Sequence, residues 1–232
     1  MLEVLRSAER GYFDHGWLKS HHTFSFGDYH NPDWLDYGPL RVINDDYVAP
    51  GQGFGKHGHR DMEILTYILE GELEHKDSMG NGSVIRPGDV QRMSAGTGVL
   101  HSEFNPSATR EVHLLQMWIK PAAQRLPPGY EQKHFTNADK RGRLRLIASP
   151  TGEEGSVAIN QSARVYAGLF DGAERHSFAL PAGRRAWAHL ARGSLSVNEA
   201  RLAAGDAAHT GGPATLELHA GERAEVLLFD LP

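Results

Sequence analysis

Apolar residues in this chain fall in short runs, often alternating with polar ones, and no long amphipathic helix interrupts them in the first half. The stretch LRVINDD at 40–46 reads as a strand ending in a polar turn. ILTYILE at 64–70 is β-branched and apolar, the pattern of a buried strand, whereas GELEHKDS at 71–78 alternates as a more exposed one. Asn81-Gly82 supplies a hairpin signal. SVIRPGDVQRMSAG then gives two short strands about the Pro87-Gly88-Asp89 turn, and HLLQMWI at 113–119 completes a series at the close spacing of a sandwich or barrel. Ahead of them, residues 10–39 are rich in aromatics and histidines. The alternation His22-Thr-Phe24-Ser-Phe26 marks an extended segment that would close one end of a barrel.

Between 120 and 142 the composition shifts to Pro, Gln, Lys and Arg, with Pro127-Pro128-Gly129 as a break. This places a domain connection here and divides the chain into residues 1–135 and 136–232. A short helix fits near Ala122. The basic run at 140–145 is brief and lacks flanking aromatics, so it reads as solvated linker and not as a nucleic-acid patch. The second half repeats the first in outline. FALPAGRRAWAHLARGSLSVN at 178–198 overlays 51–75, LAAGDAAH at 202–209 overlays the region from Arg86, and AEVLLFDLP at 224–232 reads as a last strand.

With 232 residues, 40% hydrophobic and 23% charged, the chain matches an ordinary globular protein of one large or two small domains. A formal charge of -5 is too mild to argue for a nucleic-acid or membrane partner. The absence of cysteine rules out disulfides and thiol catalysis. The start, MLEVLRSAERGYF, has no apolar h-region, and no apolar run approaches the roughly 18 residues of a membrane span. The expectation is a cytoplasmic protein. The histidines change the picture most, because nine of the 14 precede residue 117 and so place the chemistry in the first half.

Side chains two apart on a strand share a face, and His57/His59 and His101/Glu103 are two such pairs. Two strands could therefore deliver four imidazole and carboxylate ligands, a donor set suited to a small divalent metal. Gly51, Gly53, Gly55 and Gly58 before and inside the first pair allow turns and close backbone approach. Glu63, four residues after His59, falls on the same strand face if no bulge intervenes. His21, His22, Phe24 and Phe26 would line the mouth of a pocket, with core packing an equal reading for the aromatics. The other histidines (His15, His30, His75, His113, His134, His176, His189, His209 and His219) carry no pattern and read as hydrogen-bonded core or surface residues. In the second half only Arg184, Arg185 and a solitary His189 stand where the first half has its histidine pair, and no HxE follows Gly205.

The run GQGFGKHGHRDME at 51–63 resembles the first motif of the cupin superfamily, with Gly71 one residue later than the motif's closing glycine. PGDVQRMSAGTGVLHSE at 87–103 resembles the second, except that Ser94 stands where proline is usual and four residues separate Gly96 from His101. The spelling HxHRDMEILTYILEG followed by SAGTGVLHSE, with HGWLKSHHTFSFGDYHNP and LRVINDD before it, is similar to the pirin branch of the bicupins, and within it to the bacterial pirin-like quercetin 2,3-dioxygenases. The resemblance covers nearly the whole chain. It implies an all-β fold of two tandem jelly-roll cupin barrels, the first holding metal through His57, His59, His101 and Glu103 and the second without ligands. Glu63, a ligand in many cupins, becomes a supporting residue that orients a histidine. It further implies one divalent ion, iron first, with nickel, copper, zinc, manganese or cobalt as alternatives. The implied activity is dioxygen-dependent cleavage of quercetin or a related flavonol, in which Glu103 takes the proton of the flavonol 3-hydroxyl. The alternative is a metal-binding co-regulator that acts through a protein partner without turnover. With no basic cluster beside the motif beyond Lys56 and Arg60, a sugar-phosphate isomerase is a poorer fit.

Overall fold

A computed structural model describes residues 2–232. Strands follow one another with only short helical pieces between: β1 (Glu3–Leu5), β2 (Gly11–Asp14), β3 (Leu18–His22), β4 (Leu40–Val48), β5 (Gly53–His59), β6 (Glu63–Glu70), β7 (Leu73–Asp77), β8 (Gly82–Ile85), β9 (Asp89–Ser94), β10 (Val99–Phe104), β11 (Val112–Ile119) and β12 (Gly129–His134). After the helix α1 (Asn137–Lys140) come β13 (Leu144–Ser149), β14 (Val157–Ala158), β15 (Arg164–Phe170), β16 (His176–Leu180), β17 (Arg185–Val197), β18 (Ala200–Ala203), β19 (Ala207–Gly211) and β20 (Ala214–Leu231). Among the described residues no helix is long and apolar enough to cross a membrane.

The strands gather into two compact units. One holds residues 10–134 together with 157–161; the other holds the segment ending at Glu9, residues 135–156 and residues 162–232. The chain passes from one unit to the other at His134 and Phe135, and two short segments exchange. Strand β1 pairs antiparallel with β19, Val4 opposite Ala208, which draws the N-terminal residues into the second unit. The 120–142 stretch is not all linker either. Residues 129–134 pair with β9 as strand β12, and no helix forms near Ala122; the one α-helix among the described residues is α1, started by Thr136 in a capping box with Asp139.

In the first unit a seven-stranded sheet in the order β12-β9-β6-β11-β4-β3-β2 is accompanied by a four-stranded sheet, β5-β10-β7-β8. The apolar run of β6 is buried from Glu63 to Leu69, as its composition requires. Val48, Ile68, Leu73, Ile85, Val112 and Leu114 form one apolar cluster, and Ile64, Met93, Ala95 and Val99 another. In the second unit the sheet runs β1-β19-β17-β20-β15-β13, with β16 on β20 and β18 on β17. Its core is built from inward positions of β17 and β20, including Ala186, Ala188, Leu190, Val226 and Leu228.

Candidate metal centre

Strands β5 and β10 are antiparallel neighbours, and their register sets His57 directly opposite His101 and His59 opposite Val99. Alternation along β10 buries Val99, His101 and Glu103 and exposes Leu100 and Phe104. The register slips between His101 and Glu103, so Glu103 faces Phe54 and the carboxyl is re-aimed relative to a regular ladder. This close approach requires glycine at 53, where a Cβ would sit 2.2 Å from the Glu103 carbonyl oxygen. Gly96, at the turn leading into β10, has φ +48, and a Cβ there would lie 2.1 Å from the Leu126 carbonyl oxygen.

Three imidazoles meet at this point. Ring centroids are 4.4 Å apart for His57 and His101 and 4.8 Å apart for His57 and His59 and for His59 and His101. His57 Nδ1 donates to the Gly55 carbonyl at 2.7 Å, which leaves the lone pair on Nε2, and that atom lies 3.0 Å from His101 Nε2. A proton shared by two facing nitrogens holds them at this distance, and a cation can replace it. Glu103, only 1% exposed, accepts from Gln116 Nε2 through Oε2 at 2.9 Å, while Oε1 is buried with no partner. Trp118 Nε1 donates to Gln116 Oε1 at 3.1 Å, so the Gln116 amide is oriented with its nitrogen toward Glu103.

Burial dominates the electrostatics. It pushes the Glu103 carboxyl up to about 7, against the pull of its hydrogen bond from Gln116 and of the nearby Thr66 hydroxyl. Burial lowers His59 to about 4, helped by His57, and lowers His101 to about 3, helped by His57 and His59. At neutral pH His59 and His101 thus offer neutral imidazole lone pairs beside a carboxyl near its midpoint with one oxygen unsatisfied. Leaving a buried carboxylate oxygen unpaired costs free energy that a bound cation would offset. The donors fit a small divalent ion.

A cavity of about 440 Å³ reaches this cluster. Trp17, Phe26, Phe54 and Trp118 form its apolar surface, and Ser20, Asn44, Asp46, Glu103 and Gln116 its polar surface. Asp46 is raised to about 7 by burial, with the neighbouring charges of Asp45 and Glu103 adding to the shift and a bond from Ser20 opposing it. Glu103 apart, no glycine-rich motif marks the residues of this polar wall in the sequence. The same two-residue period that flags His57 and His59 also links Asn44 to Asp46 on β4 and Gln116 to Trp118 on β11. Of the four residues expected at the pocket mouth, His22 and Phe26 line the cavity. Phe24 is buried against Trp34, and His21 packs on Tyr12.

Glu63 departs from expectation. It does not orient a histidine: Oε2 accepts from Ser94 Oγ at 2.7 Å and Oε1 from Asn160 Nδ2 at 3.1 Å. The serine in place of proline is thereby explained, since proline has no hydroxyl to donate. Both oxygens of Glu63 being engaged, Glu63→Gln should leave metal content unchanged. It should also destabilise the unit by about 1–3 kcal/mol, as an amide presents a donor to one of two donors; elemental analysis and thermal melting check the two halves. Of the histidines without a pattern, two are buried in this unit. His113 binds Asp45 at 2.7 Å, away from the cluster, whereas His75 groups with His101 and Glu103, their potential ligand atoms all within 4.8 Å of one another.

Two successive cupin barrels, the first with a histidine cluster open to a cavity, define a bicupin. The chain belongs to the pirin family: the family described as Pirin matches residues 3–119, and the one described as Quercetinase C-terminal cupin domain matches residues 146–231. It is 42% identical over 232 residues to Quercetin 2,3-dioxygenase of Escherichia coli K12, covering 100% of this chain and 99% of that one. The crystal structure of bacterial pirin YhhW from Escherichia coli in complex with nickel(II) matches with a TM-score of 0.95 at 42% identity, covering 100% of this chain and 99% of that one. Quercetin 2,3-dioxygenase from Acinetobacter baumannii matches with a TM-score of 0.79 at 25% identity, covering 98% of this chain and 85% of that one.

Proposed function

We propose that the chain is a metal-dependent dioxygenase that opens quercetin or a related flavonol with release of carbon monoxide. The observation that carries this reading is the buried carboxyl of Glu103, one oxygen unpaired, set among three imidazoles at an aromatic-lined cavity. His57, His59, His101 and Glu103 would hold one divalent ion, iron first, and the nickel complex of a relative with 42% identity supports nickel as an ion that such a site accepts. When bound, the ion supplies a Lewis acid and a place for dioxygen. Glu103 then acts as general base toward the 3-hydroxyl of the flavonol, being a carboxyl that lines the same cavity. Gln116 keeps Oε2 engaged and leaves Oε1 for the proton. Trp17, Phe54 and Trp118 give flat apolar surface to a planar ring system and exclude water from it. A co-regulator that only senses metal has no need of such a cavity, and its presence supports turnover over that alternative.

Metal binding should weaken as pH falls below 7. Glu103 carries its proton below about 7 in the metal-free protein, so a cation entering there must displace it. Its folded pKa stands well above those of His59 and His101, so the competition at Glu103 sets in below about 7, before those two imidazoles protonate. Nickel affinity measured by calorimetry should drop about tenfold per pH unit there, with about one proton released per ion. Constant affinity between pH 7 and 5 would remove Glu103 from the ligand set.

A further inference from the structure

His75 is the feature that this reading leaves unused. It stands on β7 opposite Glu103, and Asp77 stands opposite His101, so all four occupy one face of the sheet. The ring is fully buried and lies against Tyr130 at 5.2 Å; the Tyr130 hydroxyl is in turn tied to Ser83 and Gln132. On its other side His101 lies at 5.3 Å. His75 Nε2 is 3.3 Å from Asp77 Oδ2, and Asp77 is itself anchored by the Met79 amide at 2.9 Å, the Asn81 amide at 3.0 Å and the Asn81 side chain at 2.9 Å. A carboxylate so held accepts, so His75 carries its proton on Nε2 and its lone pair on Nδ1. That Nδ1 is buried without a partner, and so is Nδ1 of His101.

These two orphaned atoms are complementary. For His101 to offer Nε2 to a cation between itself and His57, its own proton must be on Nδ1, where it becomes a buried donor in need of an acceptor. We infer that His75, oriented by Asp77, is a positioning residue that accepts the Nδ1–H of His101, by a small ring rotation or through one buried water, and so fixes the tautomer that presents Nε2 to the metal. The inference rests on His101 being a ligand. It extends the cluster inward to a carboxylate–histidine–histidine chain, in which Asp77 fixes one ring and that ring fixes the next.

Nickel(II) titration of metal-stripped full-length protein tests it by chelator competition in wild type, His75→Phe and His75→Asn. Phenylalanine keeps the stacking on Tyr130 but has no acceptor, while the asparagine amide oxygen reaches about where Nδ1 stood. The expected result is an affinity about 10–100-fold weaker for His75→Phe, recovered in large part by His75→Asn. A merely structural role would give both variants the same deficit. Long-range proton–nitrogen NMR of the wild type needs no variant: His101 protonated on Nδ1 is expected in the diamagnetic zinc-substituted protein. His101 protonated on Nε2, or equal nickel affinity in all three proteins, overturns the inference and leaves the metal site standing. A wild type that binds no nickel overturns the metal site itself, and this inference with it.

Discussion

Glu103→Gln is expected to keep at least part of its metal and lose turnover by about 10²–10⁴-fold, the usual contribution of a general base. The amide has nearly the shape of the carboxyl and can still place an oxygen toward the cation. Gln116 presents its nitrogen to position 103, however, and so draws that same oxygen to itself. Metal binding should therefore weaken without vanishing, while the capacity to take a proton is gone altogether. Flavonol supplied already ionised at higher pH should recover part of the deficit, because the missing step is then unnecessary. Full activity in Glu103→Gln, together with an inactive Glu63→Gln, would reverse the roles of the two glutamates; the engagement of both Glu63 oxygens by Ser94 and Asn160 speaks against that outcome.

His101→Ala should lose metal and activity together. His101 is central in the cluster, its ring within 4.8 Å of both His57 and His59 and its Nε2 3.0 Å from that of His57. Removing it should weaken nickel binding by more than the roughly 10–100-fold typical of residues that only support a ligand. His134 offers the contrast, since it is exposed and paired with Asp89 at 2.7 Å. His134→Ala should bind nickel as the wild type does. Equal metal content in His101→Ala and wild type would show that the ion is held elsewhere.

Much of this site was legible before the fold because strand geometry writes it into the sequence. His57, His59, His101 and Glu103 stand out through a period of two among glycines whose small size the backbone needs, Gly53 above all. His75 was not legible for a reason of the same kind. Leu73, His75 and Asp77 share the inward face of β7, but polar residues on both faces make the strand look exposed. The partner of Glu63 could not be read at all, as Asn160 lies 97 residues away and nothing local marks the pairing. The polar composition of 129–134 likewise reads as linker, although its backbone completes an edge of the seven-stranded sheet beside β9. Strand β1 is too short to signal by periodicity that it pairs with β19, far along the chain.

The central claim is tested most directly by mixing metal-loaded protein with quercetin under nitrogen, then admitting oxygen while following the flavonol absorbance and the carbon monoxide released. The expected result is no change under nitrogen, followed by loss of the flavonol band with one carbon monoxide per molecule consumed, and neither in metal-stripped protein. A fully metallated protein that stays inert in oxygen toward quercetin and several other flavonols would contradict it.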